Sequence, residues 1–132
     1  TFTSAPKTPV EVARMIADRS GLFLIVEAEQ AVLGFATCGA FRAGQGYRYT
    51  LEHTILLRDT AQNQGVGRRL MSVLESRAQA SGARCLVAGI SGSNDIAIAF
   101  HAALGFAKIG QLPGVGYKNG HWLDLVLMQK NL

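Results

Sequence analysis

Residues 62–69 read Gln62-Asn63-Gln64-Gly65-Val66-Gly67-Arg68-Arg69. Before them, Tyr47 to Leu57 is rich in β-favouring residues (Tyr47, Tyr49, Thr50, Thr54, Ile55) and reads as a long strand. After them, Val66, Leu70, Val73, Leu74 and Ala78 recur at helical spacing as far as Ser81. Arg68, Arg69, Glu75 and Arg77 make the wet face of that helix, and Gly82 stops it. A glycine turn opening a helix offers unpaired backbone N–H groups at the positive end of the helix dipole. Gly65 and Gly67 lack Cβ atoms, so an anion can approach the main chain closely. The segment therefore reads as a pyrophosphate cradle, with Arg68 or Arg69 able to add a charge-assisted contact. It is not a Walker A loop, because no Lys-Ser/Thr follows, and the three-glycine dinucleotide spacing is absent. Taken alone, it fits an ordinary glycine-started helix equally well.

Working outward, Thr8-Pro9-Val10-Glu11 is a helix start, with Thr8 as cap and Pro9 in the first turn. Val10, Ala13, Ile16 and Ala17 give that helix one apolar face, and Gly21 ends it. Leu22 to Val26 is a continuous apolar run, of the kind buried on both sides. Ala31 to Phe41 forms a hairpin with it. Beyond the central helix, Cys85 to Ile90 is a short buried strand and Asp95 to Leu104 a short Ala-rich helix ended by Gly105. Phe106 to Leu112 is a strand, Pro113 to Gly116 a kinked loop, and Trp122 to Gln129 the last strand. Asn119-Gly120 is the strongest hairpin signal in the chain. The order is helix, three strands, helix, strand, helix, two strands, which predicts an α/β or α+β sheet with helices on its faces.

The chain has 132 residues, 48% of them hydrophobic, which is one domain's worth with enough apolar content for a packed core. Disorder is excluded on that composition. No apolar run approaches the ~20 residues of a membrane-spanning helix. Cys38 and Cys85 show neither CxxC nor zinc spacing, so the reading is a reduced, cytoplasmic protein without a metal. The formal net charge of +4 is mild and not blocky. It suits a small polyanionic ligand such as a nucleotide or coenzyme A better than a nucleic acid.

Gln62-x-x-Gly65-x-Gly67 resembles the Q/R-x-x-G-x-G/A acetyl-CoA motif of the GNAT acetyltransferase superfamily. Asn94, a short helix and Leu104-Gly105-Phe106 resemble its other signature. The match is closest to the phosphinothricin/methionine sulfoximine N-acetyltransferase branch. Tyr47-Arg48-Tyr49-Thr50-Leu51-Glu52-His53, Val87-Ala88-Gly89-Ile90, Phe100-His101, Leu112 to Lys118 and Gly120 to Leu125 carry it. The resemblance covers essentially the whole chain. It implies a central mixed, mostly antiparallel twisted sheet flanked by helices, lacking here the family's first strand and helix. A gap or open sheet edge, or a dimer partner covering it, follows from that layout.

The implied reaction is transfer of acetyl from acetyl-CoA to a primary amine. An ammonium cannot attack, so a base must take its proton. Glu52, mid-strand in an otherwise apolar or aromatic segment, is the best candidate; its alternative is a solvent-facing or ion-paired carboxylate. By resemblance, the strand splays from its neighbour, and amides near Ile55, Leu56 and Leu57 bind the pantetheine arm and polarise the thioester carbonyl. Gln62, Asn63, Gln64, Gly65, Val66, Gly67 and Arg68 hold the pyrophosphate. Asn94 touches the pantetheine, or caps its own helix, or does both. His101 stands where many members carry Tyr; it is either the acid that protonates the leaving thiolate or a satisfied core histidine. Arg42, Arg48 and Lys118 are candidates for an acceptor carboxylate, with bidentate geometry favouring Arg. Tyr47 and Trp122 line the pocket or belong to the core, and Asp124 orients the last hairpin. Leu56 replaces a frequent Tyr of the family and Ala97 a frequent Ser.

The acceptor is therefore expected to be a small amino-acid-like amine, and the protein a homodimer binding neither nucleic acid nor membrane. Another small amine or antibiotic would need an acidic pocket, for which few carboxylates are available. A non-catalytic acyl-CoA-binding module would keep residues 62–67 and bury Glu52 in a salt bridge.

Overall fold

A computed structural model describes residues 1–132. Helix α1 spans Pro9–Asp18, and Thr8 caps it by accepting from the Glu11 N–H at 3.2 Å, as the sequence predicts. Strands β1 (Phe23–Ala28), β2 (Ala31–Ala40) and β3 (Thr50–Leu57) follow, then α2 (Val66–Ala80), β4 (Cys85–Ser91), α3 (Asp95–Ala103), β5 (Ala107–Lys118) and β6 (His121–Asn131). The six strands make one sheet in the order β1-β2-β3-β4-β6-β5. All pairs are antiparallel except β3 with β4, which needs the long crossover through α2. No helix is long and apolar enough to cross a membrane.

Three expectations change. The strand predicted from Tyr47 begins only at Thr50, because Gln45–Tyr47 form a 3-10 turn and the Arg48 guanidinium donates back to the Gln45 carbonyl. Pro113 to Gly116 does not break the strand. It forms an irregularity within the single long β5, where the register slips between Leu112 and Gly116. The apolar run at β1 is not buried on both sides: β1 is an edge strand, and Ile25 is exposed. The Asn119-Gly120 turn does appear between β5 and β6, with both residues at positive φ (53° and 77°).

Registers across the central strands define the two faces. Cys38, His53, Ala88 and Met128 stand in one row, and Gly39, Glu52, Val87 and Gln129 in the next. Side chains alternate along a strand, so neighbouring rows point to opposite faces. The first row faces α2 and α3 and joins Leu70, Met71, Leu74, Leu86, Ile90 and Val126 in the main core. Lys130 ties β6 to α2 through both oxygens of Glu75 at 3.0 Å. The second row faces the side where α1 packs more lightly, burying none of its own residues.

Leu74 is fully buried at the centre of the α2–sheet contact. Leu74→Ala is expected to remove about 2–5 kcal/mol of stability. Urea denaturation would show this as a lower midpoint with an unchanged slope.

Candidate active site

The parallel pairing of β3 with β4 runs only from Thr50↔Cys85 to His53↔Ala88. Past that point β3 continues to Leu57 against β2, and β4 to Ser91 against β6. The two strands therefore part, as the resemblance implies. The Arg58 N–H donates to the Leu33 carbonyl on β2 at 2.7 Å, and Arg84 N–H takes the Tyr49 carbonyl on the β4 side at 2.7 Å. Backbone groups alternate along a strand, so Ile55 and Leu57 turn theirs into the gap, while those of Leu56 turn to β2. Leu56 contributes its side chain, 63% exposed, at the rim.

A cleft of about 680 Å³ opens here. Ile55, Leu56 and Leu57 form one wall; Gln62, Asn63, Gly65, Gly67 and Arg68 form the floor; Asn94, Ala97, Phe100 and His101 form the other wall. Ile96 and Ala99 complete the lining; they and Phe100 were not picked out from sequence as site residues, because an Ala-rich helix carries no sign of which turn faces a ligand. Gln64 and Val66 do not line the cleft. The Gln64 amide folds back onto the Thr60 carbonyl at 3.0 Å.

The start of α2 differs from the other two helices. Thr8 caps α1 and Asn94 caps α3, the latter by accepting from the Ala97 N–H at 3.1 Å, and each first turn holds an acid. α2 has Gly65 at its cap, no side-chain cap and no acid in its first turn; Arg68 sits there instead. A cation at the positive end of a helix is unfavourable unless an anion joins it. The two glycines have different tasks. Gly65 has φ +76° with open space around it, so it supplies a left-handed turn and an exposed main chain. A Cβ on Gly67 would come 3.1 Å from Leu57 and Phe100, so Gly67 also lets α2 pack against the sheet and α3.

Glu52 and His53 lie on opposite faces. Glu52 is half-buried, lies directly across from Gly39, and makes no hydrogen bond or ion pair; the only ion pair in the chain joins Lys130 to Glu75. Its carboxylate leans over β4, with Oε2 3.5 Å from where a Gly89 Cβ would stand. His53, 5% exposed, meets His101, 4% exposed, through their Nε2 atoms at 2.9 Å. His101 Nδ1 lies 2.8 Å from the Ala97 carbonyl, which can only accept. His101 therefore donates from Nδ1 and accepts at Nε2 from His53, leaving His53 Nδ1 as a buried lone pair without a partner. Burial, aided by His101, pushes His53 down to about 3 from an ordinary 6.5. Burial likewise lowers His101, opposed by its Ala97 bond. Burial thus favours the neutral form of both rings, and both His101 nitrogens are engaged within the protein.

Tyr47, Arg42 and Arg48 stand away from the cleft, around a second one described below. Lys118 lies beside the β5–β6 turn on the outermost strand and lines neither. Trp122 is 71% exposed against Tyr117 and lies outside the core and both clefts. Asp124 accepts from the Gly114 N–H and from the Gln111 amide at 2.9 and 2.8 Å, which holds the β5 irregularity as expected of a hairpin-orienting residue. Those bonds keep its carboxyl below the usual range. Burial pushes the Cys38 thiol up to about 12, which makes it inert.

The sequence model of the Acetyltransferase (GNAT) family matches residues 2–106. A relative from Pseudomonas paraeruginosa, an L-methionine sulfoximine/L-methionine sulfone acetyltransferase, is 41% identical over 96% of this chain and 77% of its own length. The L-amino acid N-acyltransferase MnaT of Escherichia coli is 39% identical over 83% of this chain and 63% of its own. The crystal structure of a GNAT superfamily phosphinothricin acetyltransferase from Sinorhizobium meliloti in complex with AcCoA superposes with a TM-score of 0.90 at 34% identity, covering 100% of this chain and 74% of that one. The chain belongs to the GNAT acetyltransferase family. It is an acyltransferase of the kind that takes its acyl group from acetyl-CoA.

The neutral histidine pair has a consequence for acid stability. An unfolded imidazole gains its proton near 6.5, whereas the folded pair resists protonation. Stability from this pair is thus fully present above about 6.5 and is lost as pH falls toward about 3. His53→Gln keeps a donor for His101 but cannot titrate. Its melting temperature should fall less steeply than wild type over that window; parallel curves would contradict the neutral pair.

Proposed function

We propose that this chain acetylates the primary amine of a small amino-acid-like acceptor, of the methionine sulfoximine or phosphinothricin type, by direct attack on the thioester of acetyl-CoA. The observation that carries the reading is the unpaired Glu52 carboxylate at the point where β3 and β4 part. The backbone N–H groups of Ile55 and Leu57 point into the same opening, where the thioester carbonyl would receive them as the oxyanion develops. The uncapped start of α2, with Gln62, Asn63, Gly65 and Arg68, would hold the diphosphate. Val66 and Gln64 would contribute main-chain atoms only, and Gly67 close packing. Asn94 caps α3 and faces the pantetheine channel.

In this reading Glu52 takes a proton from the acceptor ammonium, directly or through a water. The free amine forms the N–C bond, the C–S bond breaks, and the thiolate leaves with coenzyme A. His101 shapes the channel wall as a neutral, internally bonded ring. A purely acyl-CoA-binding module is disfavoured, since it gives no reason for a half-buried carboxylate to stand unpaired at this point. The cytoplasmic location, read from the cysteines, the single-domain organisation, read from the length, and the homodimer, carried over from the resemblance, belong to the same proposal.

Glu52→Gln should keep acetyl-CoA binding within about threefold while lowering kcat at least ~10²-fold, as expected on loss of a general base. Calorimetric titration of acetyl-CoA and a thiol-release assay with L-methionine sulfone measure the two quantities. Unchanged turnover would remove Glu52 from the mechanism.

A further inference from the structure

Glycine suits the interior of a central strand poorly, since it gives up side-chain packing and costs backbone entropy. Gly89 holds such a place in β4, between Ala88 and Ile90, both buried in the core. Its backbone does not ask for glycine. Its φ is not positive, and the pairing of β4 with β6 runs through it without a shift of register. Packing does not ask for it either. Apart from its chain neighbours, a Cβ there would find only two atoms within 4 Å, Leu125 Cδ1 at 3.4 Å and Glu52 Oε2 at 3.5 Å, both ordinary contacts. The Gly89 carbonyl is already taken by the Thr1 hydroxyl at 2.8 Å. What Gly89 supplies is therefore space.

That space stands where the sheet forks. The β3–β4 ladder ends at His53 and Ala88, so Gly89 is the first residue of β4 without a partner on β3. Val87 lies directly across from Glu52, and alternation along β4 puts Gly89 on the same face. The other flanks of Glu52 are filled. Val87 is itself buried. Gly39, directly across on β2, has the Arg19 guanidinium over it, with Nη2 3.0 Å and Cζ 3.1 Å from where its Cβ would stand. A second cleft, of about 720 Å³, opens beside Arg19 around Arg42, Tyr47 and Arg48; Glu52 lines neither that cleft nor the first. The flank of the carboxylate over Gly89 is left open. A proton donor must come within about 2.6–3.2 Å of Oε2. A methyl carbon 3.5 Å from the same oxygen would exclude it from that side, because nonbonded atoms of this size stay about 3.5 Å apart.

We infer that Gly89 is a positioning residue of the reaction: the side chain it lacks leaves open the flank of Glu52 from which the acceptor nitrogen, or a water carrying its proton, reaches Oε2. The inference rests on the acetyltransfer reading for the role of Glu52. It accounts for a glycine at a point where a β-branched residue would make the stronger strand.

Gly89→Ala separates this role from a structural one, because the two predict opposite changes in stability. The melting temperature should stay at or above that of wild type, as for alanine at a backbone conformation any residue adopts. Acetyl-CoA affinity should stay within about threefold, while kcat/KM for L-methionine sulfone falls ~10–100-fold, the scale of a misplaced reacting group. Gly89→Val should lower it further. On a Glu52→Gln background, Gly89→Ala should add less than about threefold, since both changes act on the same step. Unchanged kcat/KM, a loss of activity matched by a lower melting temperature or a failure to fold, or a full further loss on top of Glu52→Gln overturns the inference. Turnover untouched by Glu52→Gln sinks the base assignment and the inference with it, whereas turnover lowered by Glu52→Gln but not by Gly89→Ala sinks the inference alone. Wild type that acetylates no amino acid sinks the acceptor reading by itself. Carbodiimide coupling of methylamine to Glu52, read by mass spectrometry, then decides access: slower coupling in Gly89→Ala supports the inference, and equal rates exclude it.

Discussion

The structure turns on the place where two parallel strands stop pairing. Up to His53 and Ala88, β3 and β4 share a ladder; beyond, each keeps its outer antiparallel partner and loses the inner one. In a closed sheet the backbone groups of Ile55 and Leu57 would be consumed by a neighbour. Here they open into a cleft, and a buried or part-buried polar main chain without a partner favours a ligand that supplies one. α3 stands at the edge of the same opening, with Phe100 against the start of α2 and His101 against His53, so the gap is propped by side chains from the core face.

Around that opening, two adjacent residues of one strand are sent to opposite environments. His53 goes into the core, where burial holds it neutral and engages it with His101. Glu52 goes to the lightly covered face, where it stays unpaired. The period-two alternation of a strand is enough to separate the two groups: one becomes a structural element of the cofactor-side wall and the other a free carboxylate. Membership of the acetyltransferase family gives the cleft its chemistry, because acyl transfer to an amine requires a base and polarising donors, the roles proposed for Glu52 and for the Ile55 and Leu57 amides.

The histidine pair shows what a low-dielectric setting does to a candidate acid. His101 has the residue type that a pH-7 proton donor needs. Its surroundings engage both nitrogens, Nδ1 with the Ala97 carbonyl and Nε2 with His53. Arg19 at the end of α1 is the reverse case: the fold carries its guanidinium from an exposed helix onto the sheet, where Nη1 donates to Thr37 Oγ1 at 3.1 Å.

Much was legible in the chain because the signals are local. Thr8, Gly65, Asn94 and Asn119-Gly120 mark element boundaries through caps and positive-φ turns, which depend on a few neighbouring residues. The order of elements and the uncapped glycine start of α2 follow from the same short-range physics; the predicted core stripe of α2 holds for Leu70, Leu74 and Ala78, while Val73 is exposed and Met71 takes a fully buried place. Facing and reach were not legible. Whether Tyr47 begins a strand or ends a turn, whether Gly67 serves a ligand or a packed helix, whether His101 has a proton to give, and which arginine reaches the Glu52 face all depend on contacts between segments far apart in the chain. A strand states its alternation in sequence, but only the assembled sheet decides which side of it meets a helix and which is left for a substrate.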